Sequence, residues 1–449
     1  MEAEPPKAVI ATVTPVNRTC EHSLPQVRPA LLEGHIPIPP PAGIPVWDID
    51  PYADEILLGI DEYYAELRAR GALVYIPRYA VLACGRYRQT REIFSDWKRF
   101  VSSRGVGLTD FKHAAPWRPP SRILEVDPPY HDKTRRVLVR ALSTRALESL
   151  KETLQRTAET LIDELLEKGT FDAVPELAEL YPTTVFPGAV GFQDIDARRL
   201  LEYGSMTFNA LGPDNDLRRQ SLAKAAEVVP WITEQCRRQR LGSEGFGAVI
   251  YAAADAGEIT EEEAGMLVRS LLSAGIDTTV TGLGNAVWCL AQNPDSFQLL
   301  RADPSLARAA FDETLRLTSP VHTFCRTASC DTEVGGHAIP RDAKILCVLG
   351  AANVDPEHWT EPACFDLARK NRDHLAFGVG IHACVGQVVS KIEAEAVLGA
   401  IARKVSSIEL AATPKWRPGN AIHALQSLPV TFHRRQTKLS ARSTSPWPT

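Results

Sequence analysis

Apolar residues recur every three to four positions through most of this chain and alternate over only short stretches, so the pattern predicts a mainly helical protein with a smaller β-rich part. The first helical run is 49–71 (IDPYADEILLGIDEYYAELRARG). Two short β-rich runs follow in ALVYIPRYAVLACGRY and predict a hairpin around Pro77 and Arg78. Between residues 146 and 260, LESLKETLQRTAETLIDELLEK, LAELYPTTVF, LEYGSMTFNALG and LAKAAEVVPWITEQCRRQRL keep helical spacing and favour helix formers. A long apolar helix is predicted over EEEAGMLVRSLLSAGIDTTVTGLGNAVWCLAQNP, interrupted at its centre by 274–279, AGIDTT. Near the C-terminal side, KILCVLGAANVDP predicts a buried strand and a turn, and QVVSKIEAEAVLGAIARKV a further helix. No internal repeat is visible.

Composition bounds the class. Residues 1–45 are proline-rich (IPIPPPAGIP) and are expected to form a flexible arm; 46–433 read as a single domain, and 434–449 as a polar tail. Hydrophobic content of 44% and charged content of 23% suit a soluble globular protein. A net charge of −5 gives no reason to expect nucleic acid binding. No run of about 18 apolar residues indicates a membrane span, and no basic-then-apolar leader opens the chain. Nine cysteines without paired spacing suggest a reducing cytoplasm and no disulfide framework.

Five stretches carry candidate chemistry. In HLAFGVGIHACVG, Cys384 lies in a glycine-rich loop immediately before a helix, where free N–H groups and the helix dipole favour a thiolate. A single thiolate cannot close a four-ligand zinc site. It can be the axial ligand of haem iron, or simply a buried structural cysteine. The loop 102–121, SSRGVGLTDFKHAAPWRPPS, is long for a compact domain. Its Arg118, stiffened by two prolines and followed by Ser121, is either a solvated side chain or half of a carboxylate clamp. His131 and Arg135 share a helical face, as exposed cations or as ligands. In the interrupted helix, glycine and threonine are poor interior residues. A threonine hydroxyl there can take a backbone carbonyl and loosen the turn, Gly275 leaves room for a diatomic molecule, and Asp277 and Thr278 supply an acid and an alcohol. Glu313 and Arg316 can pair on one face, by itself a weak signal.

Taken together, Phe377-x-x-Gly380-x-x-x-Cys384-x-Gly386, the AGIDTT interruption, H-x-x-x-R and E-x-x-R resemble the cytochrome P450 family, in register over about residues 50–433. The resemblance implies the helical P450 fold with a β-rich side, haem b bound through Cys384, and a monooxygenase. It implies that Phe377 and His382 flank the haem and that His131, Arg135 and Arg326 reach its propionates. Asp277 and Thr278 would deliver the protons that oxygen activation needs. Glu313 and Arg316, joined by Arg369, would hold the cysteine loop's scaffold. Electrons would come from NAD(P)H through a reductase and an iron–sulfur ferredoxin, docking beside the basic face of Arg136, Arg140 and Arg145.

Four segments, RGVGLTDFK…PWRPPS, YPTTVFP…FNALGP, LVRSLLSAGIDTTV and QSLPV, resemble the bacterial subgroup that oxidises para-substituted benzoates. That likeness implies a substrate carboxylate held by Arg118, Ser121, Arg269 and Ser270. Phe208, Leu124, Ala274, Val321 and Phe324 would line the rest of the pocket. Leu211 and Cys325 stand where the subgroup has aromatic residues, and both are expected to widen the pocket. The activity implied is O-demethylation of 4-methoxybenzoate or hydroxylation of a similar small aromatic acid. A P450-type hydroxylase of a larger aryl acid or terpenoid, and a haem sensor without turnover, are the alternatives.

Overall fold

In the computed structural model, residues 35–435 apart from Asn371 are described. The expected arm up to residue 34 and the tail from 436 lie outside them. Within the nearer part of the expected arm, Ile44 is buried, and Pro45 and Trp47 bond through their backbones to Tyr75.

The centre of the helical part is the interrupted helix, found as two pieces, Glu261–Gly275 and Asp277–Gln292, meeting at Ile276. Its start is fixed by a capping box: the Thr260 hydroxyl accepts from the Glu263 N–H at 3.1 Å, and the Glu263 carboxylate accepts from the Thr260 N–H at 2.8 Å. The second piece is buried on nearly every face, from Thr279 through Val287, which explains its apolar residues all round. It packs against the helices Ala307–Thr318 and Val174–Glu179 and against the strand Ala424–Ser427. The helix Gln387–Lys404, which follows the cysteine loop, packs along the 25-residue helix Thr144–Lys168. One apolar cluster joins these elements.

The β-rich side is a five-stranded mixed sheet in the order Val74–Ile76, Val81–Cys84, Lys344–Val348, Thr323–Ala328, Phe100–Val101. The first two strands are the expected hairpin. Alternation along Thr323–Ala328 sends successive side chains to opposite faces. Phe324 faces the interior cavity, whereas Cys325 is 1% exposed and packs among Tyr52, Leu108 and Leu346 on the other face. The expectation that Cys325 widens the pocket is therefore corrected: it does not reach the cavity. A three-stranded sheet of Thr170–Asp172, Pro429–Arg434 and Val405–Leu410 closes the C-terminal side.

The loop after residue 101 contains no helix or strand until Tyr130. It is ordered by side chains instead. Lys344, buried in the sheet, donates to the carbonyls of Arg104, Gly105, Gly107 and Thr109 at 2.9–3.2 Å. Asp127 accepts the backbone N–H groups of Ser102 and Ser103 at 3.0 and 3.1 Å.

Candidate active site

The cysteine loop is short 3-10 turns rather than regular helix. Gly378 and Gly380 take φ of +64° and +73°, and a side chain on Gly380 would meet the Phe94 carbonyl at 2.8 Å. Only glycine satisfies both demands. The Cys384 N–H donates to the Phe377 carbonyl at 2.8 Å, which turns the sulfur toward a large internal cavity. Burial raises the Cys384 thiol above its ordinary range. The N–H groups of Gly386 and Gln387 and the nearby Arg135 pull the other way without winning. In a buried site the anion needs a bound cation to complete it, because desolvation outweighs the helix terminus.

Beneath the loop, Glu313 pairs with Arg316 at 2.8 Å and Arg369 at 3.0 Å, with Arg316 only 1% exposed. Arg316 also donates to the carbonyls of Asn353, Pro362 and Cys364. The triad is buried beneath the segment that leads into the loop, where Asn353 accepts the Leu375 N–H at 2.6 Å.

The helix break borders the same cavity as Cys384. The Thr278 hydroxyl donates to the Ala274 carbonyl at 2.6 Å, the local competition that the sequence predicts. Thr278 and Ala274 line the cavity. Asp277 does not. Its carboxylate turns to Arg417 at 3.3 Å, and burial lifts its carboxyl above the usual range despite that arginine. Gly204 lets the neighbouring helix approach: a side chain there would meet the Asp277 Cβ at 2.9 Å. Gly275 is also reassigned, since the space left by its missing side chain holds the Phe186 ring, 2.5 Å from where a Cβ would stand.

At one rim, His131 and His382 are both buried, their rings 4.5 Å apart. Neither Nε2 has a hydrogen-bond partner; His382 Nε2 is 3.7 Å from Asp127. Burial tends to raise the Asp127 carboxyl, but the nearby His382 imidazole and the hydrogen bonds from the Ser102–Ser103 turn bring it down to about 2. Arg326 is buried over the Phe94 ring at 4.2 Å. Among the described residues it has no carboxylate at ion-pair distance. Arg135 donates to the Ala383 carbonyl at 2.6 Å. The orphaned His382 nitrogen, a buried guanidinium without a carboxylate partner and one sulfur on a single cavity, with the orphaned His131 nitrogen next to His382, fit an iron porphyrin. Its propionates would take His131, His382 and Arg326, and its iron would take Cys384.

Arg118, Ser121, Arg269 and Ser270 lie together on the same cavity. The two serine hydroxyls are 3.2 Å apart, and both arginines donate to the Pro119 carbonyl, at 3.0 and 2.9 Å. The Nε of Arg118 is buried without a partner. Burial lowers the affinity of the Arg269 guanidinium for its proton, and the neighbouring Arg118 adds to this. Leu124, Phe208, Leu211, Val321 and Phe324 supply apolar wall to the cavity. Sequence reasoning missed Glu125, Phe94 and Glu393, all on the cavity wall. Glu125 is signalled only by its nearness to Ser121 in a helical turn. Nothing local signals Glu393, whose buried carboxylate oxygens lack partners and whose pKa burial raises to about 8.

The chain belongs to the cytochrome P450 family. The family model for cytochrome P450 matches residues 248–416, and the chain is 47% identical over 403 residues to cytochrome P450 CYP199A2 of Rhodopseudomonas palustris, covering 90% of this chain and 98% of that one. It is also 35% identical to cytochrome P450 107B1 of Saccharopolyspora erythraea, over 69% of this chain and 76% of the relative. Among solved structures, cytochrome P450 CYP109Q5 from Chondromyces apiculatus superposes with a TM-score of 0.72 at 29% identity, covering 87% of this chain and 99% of that one. Cytochrome P450 CREJ in complex with (4-ethylphenyl) dihydrogen phosphate gives 0.76 at 25%, over 87% and 99%. The chain is a P450 monooxygenase whose cofactor is haem b, with electrons drawn from NAD(P)H through partner proteins. Among the described residues no helix is long and apolar enough to cross a membrane.

Proposed function

We propose that this P450 oxidises the para substituent of a small aromatic carboxylic acid, with O-demethylation of 4-methoxybenzoate as the leading reaction. The observation that carries this reading is the polar end of the cavity. Two arginines and two hydroxyls meet there, on the same cavity as the Cys384 sulfur and beside the apolar side chains of Leu124, Phe208, Leu211, Val321 and Phe324. Charge-assisted hydrogen bonds from Arg118 and Arg269 suit a carboxylate, with Ser121 and Ser270 orienting it. Holding a rigid benzoate by that end aims its para group at the opposite end, and fixed aim is itself a large part of the rate. Leu211 in place of an aromatic residue gives the ring extra room.

Haem bound through Cys384 supplies the activation of O2 and the transfer of one oxygen atom. Phe208 and Phe324 hold the ring and keep water from its face. Thr278, freed from Ala274, and Asp277, freed from Arg417, hold and pass the protons inward. The exposed Arg136 and Arg145 lie on and beside the helix Tyr130–Ala141, whose Arg135 touches the cysteine loop. They suit an acidic iron–sulfur ferredoxin in the cytoplasm, itself reduced by an NAD(P)H-dependent reductase.

An aryl phosphate is the second reading, because the CREJ structure carries one and a phosphate also suits paired arginines. Turnover with a reconstituted ferredoxin and reductase tests the proposal. One formaldehyde and one 4-hydroxybenzoate should form per 4-methoxybenzoate consumed; NADH consumption without either product overturns it.

A further inference from the structure

Glu125 is an unexpected neighbour for an anion site. It is 6% exposed, lines the same cavity, and carries the opposite charge to the arginines it sits among. Its Oε2 accepts the Ser121 N–H at 2.7 Å and lies 3.5 Å from Arg118 Nη1. The backbone of Ser121, four residues away in the same turn, therefore fixes it beside the clamp. Of the buried sheet cations, Lys344 is turned to four backbone carbonyls of the preceding loop, and Arg326, on the same cavity, is the one assigned above to the haem propionates. Arg118 and Arg269 would by themselves match a dianion. With Glu125 in place the pocket end has one positive charge left over.

We propose that Glu125 sets the charge selectivity of the pocket, making it a site for monoanions such as aryl carboxylates and excluding dianions such as aryl phosphates. The inference rests on the carboxylate reading above and adds a residue to it. A monocarboxylate neutralises the surplus charge. A dianion leaves one negative charge buried and unpaired next to another carboxylate, which is costly where water is excluded. Glu125 touches no reacting atom; it acts on specificity through Arg118 and Ser121.

The test is calorimetric binding to the haem-loaded protein of 4-ethylbenzoate and 4-ethylphenyl phosphate, a pair that differs in its anionic group. The wild type should prefer the carboxylate. Glu125→Gln keeps the shape and can still accept from Ser121, and should shift that preference toward the phosphate by about tenfold or more. A second arm needs no variant: lowering pH from about 7.5 to about 5.5 converts the phosphate to its monoanion, whose second pKa is about 6, and should tighten its binding to the wild type relative to the carboxylate. An unchanged preference in E125Q together with no pH effect overturns the role of Glu125 alone. Failure of the wild type to bind either anion overturns the carboxylate reading, and this inference with it.

Discussion

At the scale of single residues, the site is built from groups that the fold leaves unfinished. His131 and His382 lack partners for Nε2, Arg118 lacks one for Nε, and Glu393 lacks them for both oxygens. Buried polar groups are rarely left so, and all but His131 stand on the wall of one cavity. Thr278 is different. Its hydroxyl is satisfied by Ala274 and must turn to serve a proton path. Thr278→Ala should therefore leave haem binding intact while hydrogen peroxide release rises and product falls; coupling equal to wild type, measured as product per NADH, contradicts the assignment. Glu393 has a stability signature. Its folded-state pKa of about 8 exceeds the ordinary 4.5, so between those values the folded chain binds the extra proton and stability falls as pH rises. Glu393→Gln should raise the melting temperature at pH 8 and leave it nearly unchanged at pH 5. An equal change at both pH values would show that burial does not govern this group.

At the scale of elements, the residues that hold the site are separated from those that form it. The Glu313–Arg316–Arg369 cluster supports the segment leading into the cysteine loop without lining the cavity. Removing Arg316 leaves Glu313 with one arginine and the Asp366 N–H, and takes a donor from three carbonyls. Arg316→Met should thus destabilise the fold by about 3–5 kcal/mol and lower haem retention, read by denaturant unfolding and the haem-to-protein absorbance ratio. Wild-type values of both would contradict the scaffold role. Much of this level was legible in the sequence. The break at 274–279, the hairpin at Pro77-Arg78 and the helix following Cys384 all follow from periodicity and from residues unsuited to a helix interior. What escaped depends on packing between distant segments. Arg417 meets Asp277 across 140 residues of chain, and Phe186 fills the notch at Gly275. Whether Cys325 or Phe324 faces the pocket is decided by strand register, in which one residue's shift reverses every side chain. At Cys384 the helix N-terminus is visible in the sequence, whereas the desolvation that opposes it is not.

For the whole molecule, one cavity is lined by residues of both the sheet side and the helical side, and Cys384 and the two arginines all face it. The helix Tyr130–Ala141, exposed at Arg136, touches the cysteine loop through Arg135. Reduction by an acidic ferredoxin should slow as salt is raised, and Arg136→Glu should slow it further at low salt while leaving benzoate binding unchanged. Stopped-flow reduction rates insensitive to both would place the partner elsewhere. The central claim is that the cavity holds an aromatic acid by its carboxylate with the para group at a thiolate-bound haem. An optical titration of the haem-loaded protein with 4-methoxybenzoate and its neutral amide tests this most directly. The acid should move the Soret band toward the high-spin form at low concentration and the amide should not; no shift with the acid, or equal shifts with both, would contradict the account.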